Sequence, residues 1–208
     1  MALNTLTAVT EINNLSDARY CAAMGVDILG FNLANAQLGG VTPETVKEIA
    51  GWVAGVQLAG AFAGTTTDEI NEAARQCDLN LVLLNSNYLL DDLAKIELPV
   101  ILQVEIHKDS YERELVQILE LYQPHVQYFL ITSPEFQTID NTNLRFLQEL
   151  ALRFPVLVGF GLEKENVLQV LAEVKPAGIA LKGGHELKPG LKSFDELADI
   201  LEALEEEF

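Results

Sequence analysis

The sequence has few cysteines, few cationic side chains and no long apolar run, and each shortage excludes a class of protein. Its two cysteines, Cys21 and Cys77, lie far apart, and neither belongs to a C-x-x-C or Cys/His cluster. The 13 Lys and Arg residues are outnumbered by 31 Asp and Glu, and the formal charge of −18 repels nucleic acid and anionic membrane surfaces. No run reaches membrane-spanning length, and the N-terminus has no basic segment. We expect a cytoplasmic protein with no metal, no cofactor, and no nucleic-acid or membrane partner.

What the sequence does contain is a regular alternation of two patterns. Its 208 residues, 49% of them apolar, can bury a full core, so we expect one domain over residues 1–208. Short apolar runs predict strands near Thr5–Val9, Asp27–Asn32, Gly55–Phe62, Leu79–Leu84, Val100–Glu105, Tyr128–Thr132, Val156–Val158 and Gly178–Leu181. Amphipathic patterns predict helices near Ser16–Met24, Pro43–Val53, Asp68–Gln76, Leu89–Lys95, Ser110–Tyr122, Asn143–Arg153, Lys164–Val174 and Phe194–Leu204.

Eight strand–helix repeats in about 200 residues predict a single (β/α)8 barrel of the short kind. An open doubly wound sheet is the alternative, although it rarely needs eight strict repeats. Two helix starts are marked chemically: Thr42 precedes Pro43 as an N-cap, and Ser193 with Glu196 forms a capping-box pattern. In a barrel the chemistry lies at the carboxyl ends of the strands, so the residues that follow each run are the candidates for a site.

Glycine-rich turns follow the last two predicted strands. Gly161 belongs to a Gly-Phe-Gly turn before a helix pattern, and Lys182, Gly183 and Gly184 follow the eighth strand. Glycine lets backbone N–H groups approach an anion closely, and the helix N-terminus that follows adds a favourable dipole. These four residues are therefore predicted to form a phosphate site for a phosphorylated small molecule. The alternative is that the glycines only turn the chain.

The same segment resembles the last two βα units of phosphoribosylanthranilate isomerase, the barrel enzyme of tryptophan synthesis. The stretch PVLVGFGLEKENV is similar to the family's L-A-G-G-L-x-P-E-N-V, and KGGHELKPGLK is similar to S-S-G-V-E-x-x-P-G-x-K. At the front of the chain, AVTEINNLSDA resembles K-I-C-G-I-T-N-L-E-D-A, and GVDILGF resembles G-A-D-A-I-G-F. The resemblance covers nearly the whole chain and implies the barrel fold.

The departures from that family fall where the resemblance implies its chemistry. The family opens a furanose ring with an aspartate as acid and removes a proton with a cysteine as base. The position of the cysteine holds Thr10, whose hydroxyl is too weakly acidic to replace a thiolate, and the position of the aspartate holds Ile131 or Thr132. Gly39 stands where the family has an arginine for the anthranilate carboxylate, and Asn85 stands where it has a histidine. The resemblance therefore implies an isomerase without its working residues.

Several other residues near the predicted mouth keep two interpretations. Lys182 could hold an anion, or it could pair with Glu11 on the neighbouring first strand. Glu105 and His107 could form an acid–base pair at the end of the fifth strand. His185 could contact a ligand or be an ordinary loop residue. The ring of Phe160, which replaces a family glycine, could fill the place of the anion. Both cysteines fit helix stripes and are predicted to be small core residues.

Three functions follow from these observations. The first is a non-catalytic relative of the isomerase that keeps a phosphate or phosphosugar site. The second is an enzyme acting on a different phosphorylated small molecule, with Glu11, Thr132, Glu135, Lys182 and His185 recruited. The third is an active isomerase of tryptophan biosynthesis, which conflicts with the missing base, acid and carboxylate clamp. The catalytic residues, the ligand and the oligomeric state stay open at this stage.

Overall fold

The computed structural model describes residues 3–34, 40–109, 112–183, 185–188 and 191–205. The strands are β1 Leu6–Thr10, β2 Ile28–Asn32, β3 Gln57–Phe62, β4 Leu81–Asn85, β5 Val100–Glu105, β6 Tyr128–Thr132, β7 Val156–Val158, β8 Gly178–Lys182, β9 His185–Lys188 and β10 Leu191–Ser193. The helices are α1 Leu15–Ala23, α2 Pro43–Ala50, α3 Thr67–Gln76, α4 Leu90–Leu93, α5 Glu112–Tyr122, α6 Asn141–Ala151, α7 Val167–Val174 and α8 Asp195–Ala203. A 3₁₀ helix, Gln123–His125, follows α5.

Strands β1 to β8 form a closed parallel barrel in sequence order, and an α-helix follows each of them along the chain. Strand β8 pairs with β1 over five residues, from Leu6 opposite Gly178 to Thr10 opposite Lys182, and this pairing closes the barrel. The prediction of a (β/α)8 barrel is confirmed, and the open sheet is excluded. Strand limits were predicted to within two residues, whereas α4 is much shorter than its pattern suggested.

Side chains alternate between the interior of the barrel and the layer beneath the helices. Small and branched residues of the strands fill the interior: Ala8, Ile28, Ala59, Leu81, Leu83, Ile101, Leu130, Leu157 and Ala180. A larger outer cluster joins the other strand face to the helices, and it includes Cys21 and Cys77, both fully buried. Burial raises the pKa of the Cys77 thiol to about 11. The prediction that both cysteines are core residues is confirmed.

One helix cap was predicted correctly and another was not. The side chain of Thr42 accepts a hydrogen bond from the backbone N–H of Thr45, so α2 begins as expected, with Pro43 in its first turn. The capping box at Ser193 is wrong, because Ser193 belongs to strand β10 and the helix cap is Phe194, which makes no side-chain bond. Strands β9 and β10 pair with each other antiparallel in the segment between β8 and α8. Within the described residues no helix is both long and apolar enough to cross a bilayer.

Candidate functional site

The carboxyl ends of the eight parallel strands meet at one end of the barrel, which we call the mouth. Strand β6 shows which side chains point into it. Leu130 lies in the interior cluster and Ile131 in the outer cluster, so the alternation turns Thr132 inward. The Oγ1 atom of Thr132 accepts a hydrogen bond of 3.2 Å from Nε2 of Gln103, an inward residue of β5. Of the two residues predicted for the acid position, Thr132 is therefore the one that faces the mouth.

Thr10 ends β1 and faces the same mouth from another side of the barrel. Its hydroxyl donates to the backbone carbonyl of Leu181 in β8 at 3.2 Å. The proton of this hydroxyl is thus directed into the barrel wall. Thr10 lies where the resemblance implies the general base, and it forms part of the seam between β1 and β8.

The next residue, Glu11, adopts a left-handed backbone conformation with φ of 62°. The family pattern has a glycine at this position, and glycine adopts such a conformation without steric cost. The Glu11 carboxylate lies 3.3 Å from Nζ of Lys182, and both side chains are more than half exposed. The predicted pairing between these two residues is therefore observed, and such an exposed pair contributes at most about 1 kcal/mol.

Gly183 continues the chain beyond β8 and packs tightly against the end of β1. Its N–H donates to the carbonyl of Thr10 at 2.7 Å, and an added Cβ would lie 3.1 Å from that oxygen and 3.2 Å from the carbonyl oxygen of Glu11. The prediction that this N–H holds an anion does not fit, because the N–H already bonds within the barrel. Gly184 and Gly39 lie outside the described residues, so their predicted roles stay predictions.

Gly161 has a packing reason for being glycine. Its φ is 62°, and an added Cβ would lie 2.9 Å from the carbonyl carbon of Thr138 and 3.0 Å from the nitrogen of Ile139, in the loop after β6. The side chain of Asn166 spans the turn, donating to the Gly161 carbonyl at 2.8 Å and accepting from the N–H of Glu163 at 2.9 Å. These two hydrogen bonds fix the turn before α7.

Phe160 lies between Gly159 and Gly161 but does not point into the mouth. Its ring is buried in the outer cluster, with its centroid 6.1 Å from that of Phe136. The place that an anion would take near Gly161 is therefore not occupied by this ring.

A carboxylate–imidazole–carboxylate cluster stands at the carboxyl ends of β5 and β6. His107 Nε2 lies 3.6 Å from Glu105 Oε1, and His107 Nδ1 lies 3.3 Å from Glu135 Oε1. The other oxygen of Glu135 accepts a hydrogen bond of 2.9 Å from the backbone N–H of Lys108. This N–H, and then His107, hold the pKa of Glu135 below its ordinary value. The predicted proximity of Glu105 and His107 is observed.

Glu135 is the member of this cluster whose part could not be assigned from sequence. It stands 28 residues from His107, and only the adjacency of β5 and β6 brings the two together. Because the ring nitrogens of His107 face different carboxylates, the three side chains do not converge on one point. Among the described residues no group of three His, Cys, Asp or Glu side chains is arranged to hold a metal ion. His185 begins strand β9, and a ligand contact by its side chain stays a prediction.

The model of the family "N-(5'phosphoribosyl)anthranilate (PRA) isomerase" matches residues 7–203 of this chain. The chain is 26% identical to the N-(5'-phosphoribosyl)anthranilate isomerase of Pelodictyon phaeoclathratiforme, over 96% of this chain and 97% of that protein. It is 28% identical to the protein of the same name from Chlorobaculum parvum, over 97% of this chain and 96% of that protein.

Solved structures of similar proteins share the barrel. The phosphoribosyl anthranilate isomerase of Thermotoga maritima superposes with a TM-score of 0.82 at 24% identity, covering 96% of this chain and 98% of that one. A second such isomerase, solved in complex with reduced 1-(o-carboxyphenylamino)-1-deoxyribulose 5-phosphate, gives a TM-score of 0.80 at 23% identity, with coverage of 96% and 98%. At these identities the structures establish a common fold.

Proposed function

Because the chain belongs to the N-(5'-phosphoribosyl)anthranilate isomerase family, we propose that it binds a phosphorylated small molecule at the mouth of its barrel without catalysing the family's isomerisation. The observation that carries this proposal is the state of Thr10. Its hydroxyl donates to the carbonyl of Leu181, within the seam between β1 and β8. A group at the base position has to accept a proton from the substrate, and this hydroxyl is a donor already turned towards the wall.

The chemistry of the two threonines supports the same conclusion. A cysteine thiol has a pKa of about 8.5 and can supply a thiolate near neutral pH, which an aliphatic hydroxyl cannot. Thr132, which faces the mouth at the acid position, is neutral and cannot act as a carboxylic acid towards a ring oxygen. Loss of a positioned acid or base lowers a rate by about 10²- to 10⁴-fold, so the loss of both leaves little activity.

A phosphorylated ligand is proposed on three grounds. A structural neighbour was solved with a substance that carries a 5-phosphate. The turn at Gly161 keeps a defined geometry, and the ring of Phe160 lies in the outer cluster. Lys182 faces the mouth and supplies a cation in a protein of charge −18. Since the N–H of Gly183 is bonded to Thr10, the donors we propose are the turn at Gly161, Lys182 and Gly184.

A second function, active isomerisation, is favoured by one observation. The relatives with 26% and 28% identity over nearly the whole chain bear the name of the isomerase. If this chain shares their activity, other residues must do the work of the base and the acid. A cytoplasmic location stays a prediction under either function.

Complementation of a tryptophan auxotroph that lacks the isomerase separates the two functions. We expect no growth without tryptophan when this chain is expressed at the level at which an intact isomerase restores growth. A Thr10→Cys, Thr132→Asp double variant expressed at the same level is tested beside it, because it returns a thiol at the base position and a carboxylic acid at the acid position. Growth with the unaltered chain would establish the second function instead.

Binding is tested by thermal denaturation with ribulose 5-phosphate. A ligand at tenfold excess over its Kd stabilises the folded protein by about 1.4 kcal/mol. We expect this stabilisation to fall in Lys182→Met and to persist in Lys47→Met, which removes an exposed lysine of the outer helix α2. No change in Tm at millimolar ligand, or an equal change in both variants, would contradict a phosphate site at the mouth.

A further inference from the structure

An inward-facing strip of side chains crosses the adjacent strands β5 and β6 at the mouth and borders the end of β7. Glu105 ends β5 on the same face as Gln103, and its Cα partner in β6 is Thr132. The Cγ2 atom of Thr132 lies 3.2 Å from the position that a Cβ on Gly159 would take, beyond the end of β7. The strip therefore runs from Glu105 towards the turn at Gly161, where the phosphate group is proposed to bind.

Thr132 supplies this strip with an oriented hydrogen-bond donor. Its oxygen accepts the hydrogen bond from Gln103, whose amide nitrogen can only donate. The hydroxyl proton of Thr132 must then point away from Gln103. The side chain is partly exposed at the mouth, so this proton can be given to an oxygen atom of a ligand.

Glu105 is a carboxylate held beside that donor. His107 lies 3.6 Å from one of its oxygens and is oriented on its other side by Glu135, 3.3 Å away. Glu135 is fixed in turn by the backbone N–H of Lys108. A base placed beside a neighbour that is itself oriented by a third group is an arrangement found at proton-transfer sites. None of these residues stands at a position where the resemblance implies the family's base, acid or carboxylate clamp.

We propose that Glu105 is the catalytic base of a second reaction, the removal of a proton from a carbon atom next to the carbonyl of a phosphorylated ketose. The proposal rests on the proposed binding of a phosphorylated ligand. The carboxylate takes the proton, and the electron pair of the C–H bond forms an enediolate whose oxygen accepts the hydrogen bond of Thr132. Glu105 exchanges this proton with water and returns a proton to the same carbon, so the ligand is regenerated and no oxidant or co-reactant is needed. His107 and Glu135 are positioning residues.

The step is measured directly as exchange of carbon-bound hydrogen. Ribulose 5-phosphate is incubated with the protein in D₂O, and proton NMR follows the loss of the signals of the hydrogens at C1 and C3. We expect exchange above the rate in buffer, and a decrease of about 100-fold or more in Glu105→Gln. Glu149→Gln, which alters an exposed carboxylate of the outer helix α6, is the matched control and should exchange at the unaltered rate. Identical purification of both variants removes the contribution of host enzymes.

The role of His107 has its own readout. In His107→Asn the carboxylate of Glu105 keeps its place in the strand but loses its orienting partner. We expect kcat for exchange to fall by about tenfold while KM stays the same. A purely structural role would instead lower Tm and leave kcat of the remaining folded protein unchanged.

The outcomes that overturn the proposal are distinct from failure of ligand binding. No exchange by the unaltered protein above the buffer rate overturns it, as does equal exchange by Glu105→Gln and the control. If ribulose 5-phosphate raises Tm without exchange, the phosphate site stands and only Glu105 as a base is rejected. If the ligand neither raises Tm nor exchanges hydrogen, the phosphate site and the base are both rejected.

Discussion

The seam between β8 and β1 and the seam between β5 and β6 differ in how their polar groups are used. At the first seam Thr10 donates to Leu181, Gly183 donates to Thr10, and Lys182 pairs with Glu11. At the second seam Gln103 donates to Thr132, and Glu105, His107 and Glu135 stand partly exposed above it. At the first seam Thr10 and Gly183 are satisfied within the wall and Lys182 alone reaches the mouth as a cation, whereas the second seam presents a hydrogen-bond donor and a carboxylate to the mouth.

This difference shows that one residue type can have opposite uses on two sides of the same mouth. Both Thr10 and Thr132 occupy positions that the family resemblance reserves for catalysis. The partner of each hydroxyl decides its use, because a threonine oxygen that accepts a bond still has a proton to give. The carbonyl of Leu181 accepts the hydrogen bond that the Thr10 hydroxyl donates. Thr132 instead accepts a hydrogen bond from Gln103, so its hydroxyl can still donate to a ligand. The working side of the mouth is therefore expected at β5 and β6.

The difference between the two seams is tested most directly by replacing each threonine with valine, which has nearly the same shape and no hydroxyl. Each change removes one hydrogen bond and should lower the free energy of unfolding by about 1 kcal/mol, measured by urea denaturation. Only Thr132→Val should also slow exchange of ribulose 5-phosphate hydrogens, by about 100-fold, because it removes the donor to the developing oxyanion. Equal exchange rates in the two variants would mean that the seams do not differ in function.

The barrel could be predicted from sequence because its signals are local. Apolar runs of strand length alternate with helix-period stripes, and parallel strands joined by helices leave few arrangements. Caps were less certain, since Ser193 and Glu196 match a capping box but the segment before α8 extends into strand β10. A strand conformation at Ser193 moves the start of the helix to the next residues, and no local pattern signals that.

The site was predictable only where its contacts follow the register of adjacent strands. The pairing of Lys182 with Glu11 could be anticipated because β8 closes onto β1 in any such barrel. The bond from Gly183 to Thr10 could not, because a glycine after a strand is equally suited to hold an anion. Glu135 reaches His107 through a loop whose course the sequence does not specify.

A smaller effect on stability, expected for Glu11→Gly, tests whether the first seam has a structural role. Glu11 has φ of 62°, a conformation that costs a non-glycine residue about 1–2 kcal/mol, and its exposed ion pair with Lys182 returns about 0.5 kcal/mol or less. We expect Glu11→Gly to raise the free energy of unfolding in urea by about 0.5–1 kcal/mol, after the extra entropy of glycine in the unfolded chain. Glu11→Gln, which keeps the strain and loses the charge, should change it by less than about 0.5 kcal/mol. Destabilisation by the glycine would show that the Glu11 side chain holds the seam together.

The smallest effect concerns the second seam at low pH. The pKa of Glu135 lies below its ordinary value of 4.5, chiefly because the N–H of Lys108 donates to the carboxylate and then because of His107. A lowered pKa in the folded state stabilises the protein above the unfolded value, and this contribution is lost as the pH falls through the folded value. Replacing Glu135 with Gln should therefore lower Tm slightly at pH 7, and the difference from the unaltered protein should shrink as the pH falls from 4.5 through the lowered pKa of Glu135. Because the backbone N–H is the larger cause, His107→Asn should keep most of this pH dependence. Its complete loss in His107→Asn would show that the imidazole, rather than the strand-end backbone, holds Glu135 at the mouth.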